Sequence, residues 1–131
     1  MVLKHFTADG HEQFQHVVKE IGAGKRIIAF FTGSKSLTTG ASWCPDCVVA
    51  EPVVEKVIAD AAVSSLDVNF ITCFVGNREV WKSPQSPFRT DEKLKLTCIP
   101  TLLEYGKKAK RLLDDQAANP NLVKDFFTEE D

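Results

Sequence analysis

Two cysteines separated by two residues are the strongest chemical signal in this chain of 131 residues. Cys44 and Cys47 lie in the segment Trp43-Cys44-Pro45-Asp46-Cys47, where a helical pattern follows a polar stretch. A sulfur at a helix N-terminus meets unpaired backbone N–H groups and the positive end of the helix dipole, and both stabilise a thiolate. The spacing therefore predicts a redox pair with Cys44 as an accessible nucleophile and Cys47 as the resolving cysteine.

The two residues between the cysteines are expected to tune the pair. Pro45 suits the first turn of a helix, where no backbone donor is required. The carboxylate of Asp46 disfavours the nearby Cys44 thiolate, and a less stable reduced form favours a reductase over an oxidase. Two alternatives stay open for Asp46: it accepts a proton from Cys47 during resolution, or it only complements the helix dipole.

Structural zinc is the main alternative for such a pair, and zinc normally needs four ligands. The other two cysteines, Cys73 and Cys98, stand alone in apolar, strand-like stretches, and all three histidines lie far upstream of Cys44. We therefore expect no bound metal, and we interpret Cys73 and Cys98 as inert, buried thiols.

The elements that must position the pair follow from hydrophobic periodicity and turn residues. The pattern predicts one α/β domain over residues 1–131, in which a mixed central sheet is flanked by helices on both faces. Pro52 lies inside the helix that Cys44 begins, where it is expected to kink the axis. The predicted elements are an edge strand at 2–6, a helix at 11–21, a central strand at 26–31, a loop at 32–42, a helix at 44–62, a strand at 67–75, a loop at 76–89, a strand at 101–105, a hairpin partner at 110–113 and a helix from about 120.

Composition narrows the class of protein. A formal net charge of −2 argues against a nucleic-acid partner, which a basic face would attract. No apolar run approaches the roughly 18 residues of a membrane span. The first residues lack the pattern of a signal peptide, so we expect a cytoplasmic protein without membrane association.

Three features resemble the thioredoxin family. They are the Trp-Cys-x-x-Cys segment after a buried strand, the helix proline Pro52, and the stretch 98–101 (Cys-Ile-Pro-Thr). Four ordered segments, 31–35, 42–48, 50–54 and 100–103, are most similar to the branch of 14-kDa thioredoxin-related proteins, also called thioredoxin domain-containing protein 17. One departure from ordinary thioredoxins is Ala29, which stands where they carry a buried Asp with an acid–base role; Asp46 is the candidate to replace it.

The resemblance implies a thioredoxin fold with a cis peptide bond between Ile99 and Pro100. It implies that Ile99 and Pro100 lie beside the redox pair, that the backbone of Ile99 pairs with an extended substrate, and that Trp43 forms part of the rim. It also implies electrons from NADPH through thioredoxin reductase, with no cofactor bound to the chain itself, which we expect to be a monomer. The implied substrates are disulfides of small molecules, peptides and selected proteins.

Three aromatic residues near the pair admit two interpretations. Trp43, Trp81 and Phe88 either contact partners or pack back onto the core. The functional hypothesis for the whole chain is a disulfide reductase that serves cell redox homeostasis. The alternatives are a redox-sensitive adaptor with little turnover and a thiol peroxidase.

Overall fold

The computed structural model describes residues 2–129, with the side chain of residue 108 left out. Five strands form one sheet in the order β1, β3, β2, β4, β5. Their bounds are Lys4–Asp9 for β1, Ile27–Thr32 for β2, Asn69–Phe74 for β3, Thr101–Glu104 for β4 and Lys107–Leu113 for β5.

The sheet is mixed, as the order of predicted elements requires. β1 and β2 each pair with β3 in parallel, while β4 pairs with β2 and with β5 in antiparallel register. Every residue of the central strand β2 is buried, which explains its continuous run of apolar side chains. The predicted parallel half, antiparallel half and central position of β2 are confirmed.

Helices cover both faces of the sheet and create two apolar cores. One core joins Phe14 of α1 (His11–Ile21) to the redox cysteines and to aromatic side chains of later segments. The other core lies beneath α2 (Pro45–Ala59), α3 (Ala61–Ser64) and α6 (Pro120–Thr128), with a 3₁₀ turn at Asp114–Ala118 before α6. The single thioredoxin-like layer arrangement predicted for the chain is therefore present.

The prediction of an irregular loop at 76–89 is wrong, because this segment forms two short helices. These are α4 (Arg78–Lys82), which Asn77 caps through a hydrogen bond to the N–H of Val80, and α5 (Pro87–Thr90). Trp81 and Phe88 fold inward, with exposed fractions of 4% and 3%. Burial of these two rings orders a segment whose Gly, Pro and Ser content favoured an irregular loop.

Several predicted boundaries also move. The edge strand predicted at 2–6 lies at Lys4–Asp9, and the strand predicted at 67–75 lies at Asn69–Phe74. The helix predicted at 44–62 ends at Ala59, because Asp60 adopts an extended conformation and its carboxylate caps the short helix α3. The hairpin strand begins at Lys107 rather than Lys110, with an irregularity in the pairing of β4 and β5. Within residues 2–129, none of the helices is long and apolar enough to cross a membrane.

Candidate active site

Cys44 is the N-cap residue of α2, as the sequence predicted. Pro45 occupies the first helical position, and the N–H of Cys47 donates to Cys44 Sγ at 3.3 Å. The N–H of Cys44 in turn donates to the Ser42 hydroxyl at 3.2 Å. Because the sulfur accepts a backbone N–H at the positive end of a 15-residue helix, negative charge on it is stabilised there.

The expected accessibility of Cys44 needs correction, since only 6% of the residue is exposed. The sulfur lies 3.9 Å from the carbonyl oxygen of Ile99, 55 positions further along the chain. Ile99 is itself 7% exposed and belongs to the same apolar core as Cys44. A substrate disulfide therefore has only a narrow approach to the Cys44 sulfur.

Cys47 is fully buried on the inner side of the first turn of α2. Its sulfur accepts the N–H of Gly33 at 3.4 Å. Burial and the hydrogen bond with Cys44 raise the pKa of Cys47 to about 12, although the Thr32 side chain and the Gly33 N–H act in the opposite direction. The two cysteines thus differ in surroundings, with Cys44 at the helix end and Cys47 beneath it in the protonated form.

A hydroxyl and a carboxylate lie behind Cys47, and the sequence did not point to either of them. Thr32, predicted to begin a loop, is the last residue of β2 and is completely buried. Its Oγ1 donates to Glu51 Oε2 at 2.6 Å. Glu51 follows Cys47 by four residues, the spacing that places two side chains on one helix face, and that spacing was the available signal.

Ile99 and Pro100 lie beside the redox pair, and the peptide bond between them is cis, as the resemblance implied. Within residues 2–129, the N–H of Ile99 has no hydrogen-bond acceptor, whereas the carbonyl of Pro100 accepts the N–H of Asp114 at 3.0 Å. The backbone at Ile99 thus retains a donor for another chain. Its role in substrate binding stays a prediction.

Trp43 is partly exposed, and contacts with Gly76, Arg78 and Gly33 hold its ring in place. Its ring N–H donates to the carbonyl of Gly76 at 2.8 Å, and the guanidinium of Arg78 lies 5.2 Å from the ring centre. Gly33 packs under the ring, where an added Cβ would lie 2.9 Å from Trp43 Cε2. Trp43 is therefore packed on one side and partly exposed on the other, and its contact with partners stays a prediction; the buried Trp81 and Phe88 serve packing.

Asp46 does not join the buried polar groups around Cys47. It is exposed and makes no hydrogen bond or ion pair with any residue in the described range. Ala29 is completely buried on β2, so this position supplies no acid or base. The tuning roles proposed for Pro45 and Asp46 stay predictions.

The two remaining cysteines differ from one another. Cys73 is completely buried on β3, and burial holds the pKa of its thiol well above the usual value. Cys98 is only half-buried, which corrects the expectation of a buried thiol, because it lies before β4 rather than within a strand. Among the described residues, no group of three or more His, Cys, Asp or Glu side chains could hold a metal ion.

Comparisons with known proteins agree with this geometry. Residues 7–129 match the thioredoxin domain of the thioredoxin domain-containing protein 17-like family. Thioredoxin domain-containing protein 17 of Mus musculus is 45% identical over 121 residues, covering 92% of each chain, and its Homo sapiens counterpart is 42% identical over 124 residues, covering 95% of this chain and 94% of that protein. The thioredoxin-like protein Clot of Arabidopsis thaliana is 40% identical over 106 residues, covering 79% of this chain and 77% of its own.

The fold also resembles solved thioredoxins. The thioredoxin Mala s 13 of Malassezia sympodialis superimposes with a TM-score of 0.58 at 19% identity, covering 98% of this chain and 92% of its own. Fold and site together define a thioredoxin-fold protein with a dithiol at a helix N-terminus, and they support a thiol oxidoreductase kind of activity. The chain belongs to the thioredoxin domain-containing protein 17-like family.

Proposed function

We propose that the chain is a disulfide reductase acting on disulfides of small molecules, peptides and selected proteins. The observation that carries the proposal is the backbone N–H of Cys47 donating to Cys44 Sγ at the N-terminus of α2. This contact stabilises the nucleophilic thiolate, and the buried Cys47 thiol lies three residues further along the chain. Family membership supports the same chemistry.

The reaction takes two exchanges. The Cys44 thiolate attacks one sulfur of the substrate disulfide; that bond breaks, and the first substrate thiolate leaves. The Cys47 thiolate then attacks Cys44 Sγ, which releases the second substrate thiolate and leaves a Cys44–Cys47 disulfide. The substrate gains two electrons that the dithiol loses, and thioredoxin reductase returns two electrons from NADPH.

Substrate selection is assigned to Trp43, Ile99 and Pro100. The free N–H of Ile99 suits backbone pairing with an extended peptide, and Trp43 offers a partly exposed ring at the rim. The 6% exposure of Cys44 favours slender substrates such as cystine over broad protein surfaces. Asp46 is exposed beside Cys44 and would disfavour the thiolate, which makes the reduced pair less stable and therefore a stronger reductant.

The cellular setting is part of the proposal. We place the protein in the cytoplasm as a monomer that contributes to cell redox homeostasis, with thioredoxin reductase as its partner. Its net charge of −2 gives no general attraction to nucleic acid or to anionic membranes.

The test couples the purified chain to thioredoxin reductase and NADPH, with cystine as substrate. NADPH consumption should depend on the chain, Cys44→Ser should abolish it, and Cys47→Ser should accumulate mixed disulfides at Cys44. Reduction that continues in Cys44→Ser would refute the mechanism.

The limited exposure of Cys44 also favours a second candidate, a redox-sensitive adaptor with little turnover. The adaptor predicts a partner protein whose affinity changes when the Cys44–Cys47 disulfide forms. Slow NADPH-coupled turnover together with redox-dependent capture of that partner would favour the adaptor, whereas rapid turnover favours the reductase.

A further inference from the structure

The resolving cysteine must lose a proton before it can attack. Burial raises the pKa of Cys47 to about 12, so the thiol stays protonated at neutral pH. A proton acceptor within reach would raise the rate of resolution. Ala29 supplies none on β2, and Asp46 is exposed with no hydrogen bond to another described residue.

Thr32 and Glu51 form the polar connection on the inner side of Cys47. Thr32 directly precedes Gly33, whose N–H donates to Cys47 Sγ at 3.4 Å, so the end of β2 lies against this sulfur. The Thr32 side chain also lowers the pKa of Cys47, against the effect of burial. The Thr32 hydroxyl donates to Glu51 Oε2 at 2.6 Å, and Glu51 follows Cys47 by one helical turn of α2. That distance is in the range of a strong hydrogen bond to an ionised carboxylate. Thr32 is completely buried, and Glu51 supplies a carboxylate acceptor for its hydroxyl proton.

We propose that Glu51 accepts the proton of Cys47 during resolution, through the hydroxyl of Thr32. The proposal rests on the reductase function above and adds two residues to it. Thr32 is the group beside the reacting sulfur, and Glu51 is a positioning residue that acts through Thr32.

The proton transfer balances without a further reactant. The Cys47 thiol gives its proton to Thr32 Oγ1 while Thr32 gives its own proton to Glu51 Oε2. The Cys47 thiolate then attacks Cys44 Sγ, the bond from Cys44 to the substrate sulfur breaks, and the substrate leaves as a thiolate. Glu51 afterwards returns its proton to water.

The surroundings of Glu51 provide a route for that last step. Glu51 is half-buried and lines a crevice together with His5 of β1, Lys35 of the loop after β2, and Glu55 of α2. These are the titratable or charged groups that share the crevice with it; Thr72 and Phe74 of β3 add a hydroxyl and a ring. Within residues 2–129, no cation lies within ion-pair distance of Glu51.

A two-phase experiment separates attack from resolution. All chains carry Cys98→Ser, so that this half-buried thiol does not react with the reagent. The reduced chain is mixed with dithiobis(nitrobenzoate), which releases one coloured thiolate when Cys44 attacks and a second when Cys47 resolves the mixed disulfide. Wild type, Glu51→Gln and the matched control Glu55→Gln are followed by stopped flow. Glu55 lies one turn further along α2, lines the same crevice and makes no hydrogen bond to Thr32.

Glu51→Gln should leave the first phase unchanged and slow the second phase at least about tenfold near neutral pH. The difference should narrow as pH rises, because hydroxide then removes the Cys47 proton directly. Glu55→Gln should match wild type in both phases. Equal second phases in wild type and Glu51→Gln, or equal slowing of both phases, would overturn the proposal.

A second pair of variants covers the case in which Glu51→Gln disturbs folding, as judged by its melting curve. Thr32→Val removes the hydroxyl while it preserves the shape of the side chain, and it should slow the second phase; Thr32→Ser keeps the hydroxyl and should restore it. A second phase that is equally fast in both variants also contradicts the relay. If wild type releases no coloured thiolate, or Cys44→Ser still releases it with two phases, the reductase function itself fails.

Discussion

The two ends of β2 each meet a carboxylate, and the two carboxylates differ in their partners. At one end the Thr32 hydroxyl donates to Glu51, which is half-buried. At the other end Arg26 pairs with Glu104, which is 5% exposed and also bonded to Lys110 and Lys107. One carboxylate has a single hydroxyl as its partner, whereas the other has three cations.

Glu104 is held in its charged form. Burial alone would raise the pKa of Glu104, but hydrogen bonds and charges from Lys110 and Arg26 outweigh burial and hold it below the usual value. Arg26 also donates to the backbone carbonyl of Phe127, so this ion cluster ties α6 to the sheet. Because the surrounding cations keep Glu104 ionised, its ion pairs persist and stabilise the contact between α6 and the sheet. Glu51 has one hydroxyl as its partner, and in the proposed relay it accepts a proton.

The largest expected effect is on stability at the Glu104 end. Glu104→Gln should lower the free energy of unfolding by about 3 kcal/mol, because the buried Glu104 site would lose the charge that Arg26, Lys107 and Lys110 contact. Glu51→Gln should cost less than about 1 kcal/mol. Urea unfolding of both variants measures the two free energies. Equal losses of stability in Glu104→Gln and Glu51→Gln would contradict the difference between the two carboxylates.

Crowding at the redox end should have the next largest effect. In Gly33→Ala the added Cβ would lie 2.8 Å from Ser42 Oγ and 2.9 Å from Trp43 Cε2, so one of them must move. We expect a loss of about 1–3 kcal/mol in stability together with altered Trp43 fluorescence in a Trp81→Phe background. An unchanged emission spectrum and melting curve would show that the loop adapts freely.

Acid should weaken the Glu104 end by a smaller amount. The pKa of Glu104 is lowered in the folded chain, so its contribution is complete above the ordinary glutamate pKa and is lost as pH falls through the folded value. Glu104→Gln should therefore flatten the dependence of stability on pH in the acid range. Urea titrations of both chains at several pH values test the slope, and parallel curves would contradict the assignment.

Cysteine labelling should distinguish the covered thiols from the accessible ones in the native chain. Cys73 and Cys47 are completely buried and have raised pKa values, so iodoacetamide should spare both in the native, reduced chain. Cys98 is half-buried and should react. Mass analysis of the digested protein measures the label, with the urea-unfolded chain as the control in which all four react.

Local geometry made part of the site predictable. Two cysteines three positions apart at a helix start must share the first turn, and Pro45 marks that start. Likewise Gly10 and Gly22, both with positive φ, bound α1 where the sequence placed its ends. These features depend on neighbouring residues only, so a single sequence contains the information for them.

Tertiary contacts decided the remainder. Thr32 and Glu51 are 19 positions apart and meet only because α2 packs across the end of β2, while Ile99 reaches Cys44 from 55 positions away. The exposure of Cys44 and the order of the segment around Trp81 likewise depend on which side chains the fold places over them. Residue types and their spacing were enough to predict the redox pair and the order of strands and helices. The structure decided which sulfur is covered and which carboxylate lies within reach, because distances between remote residues depend on packing.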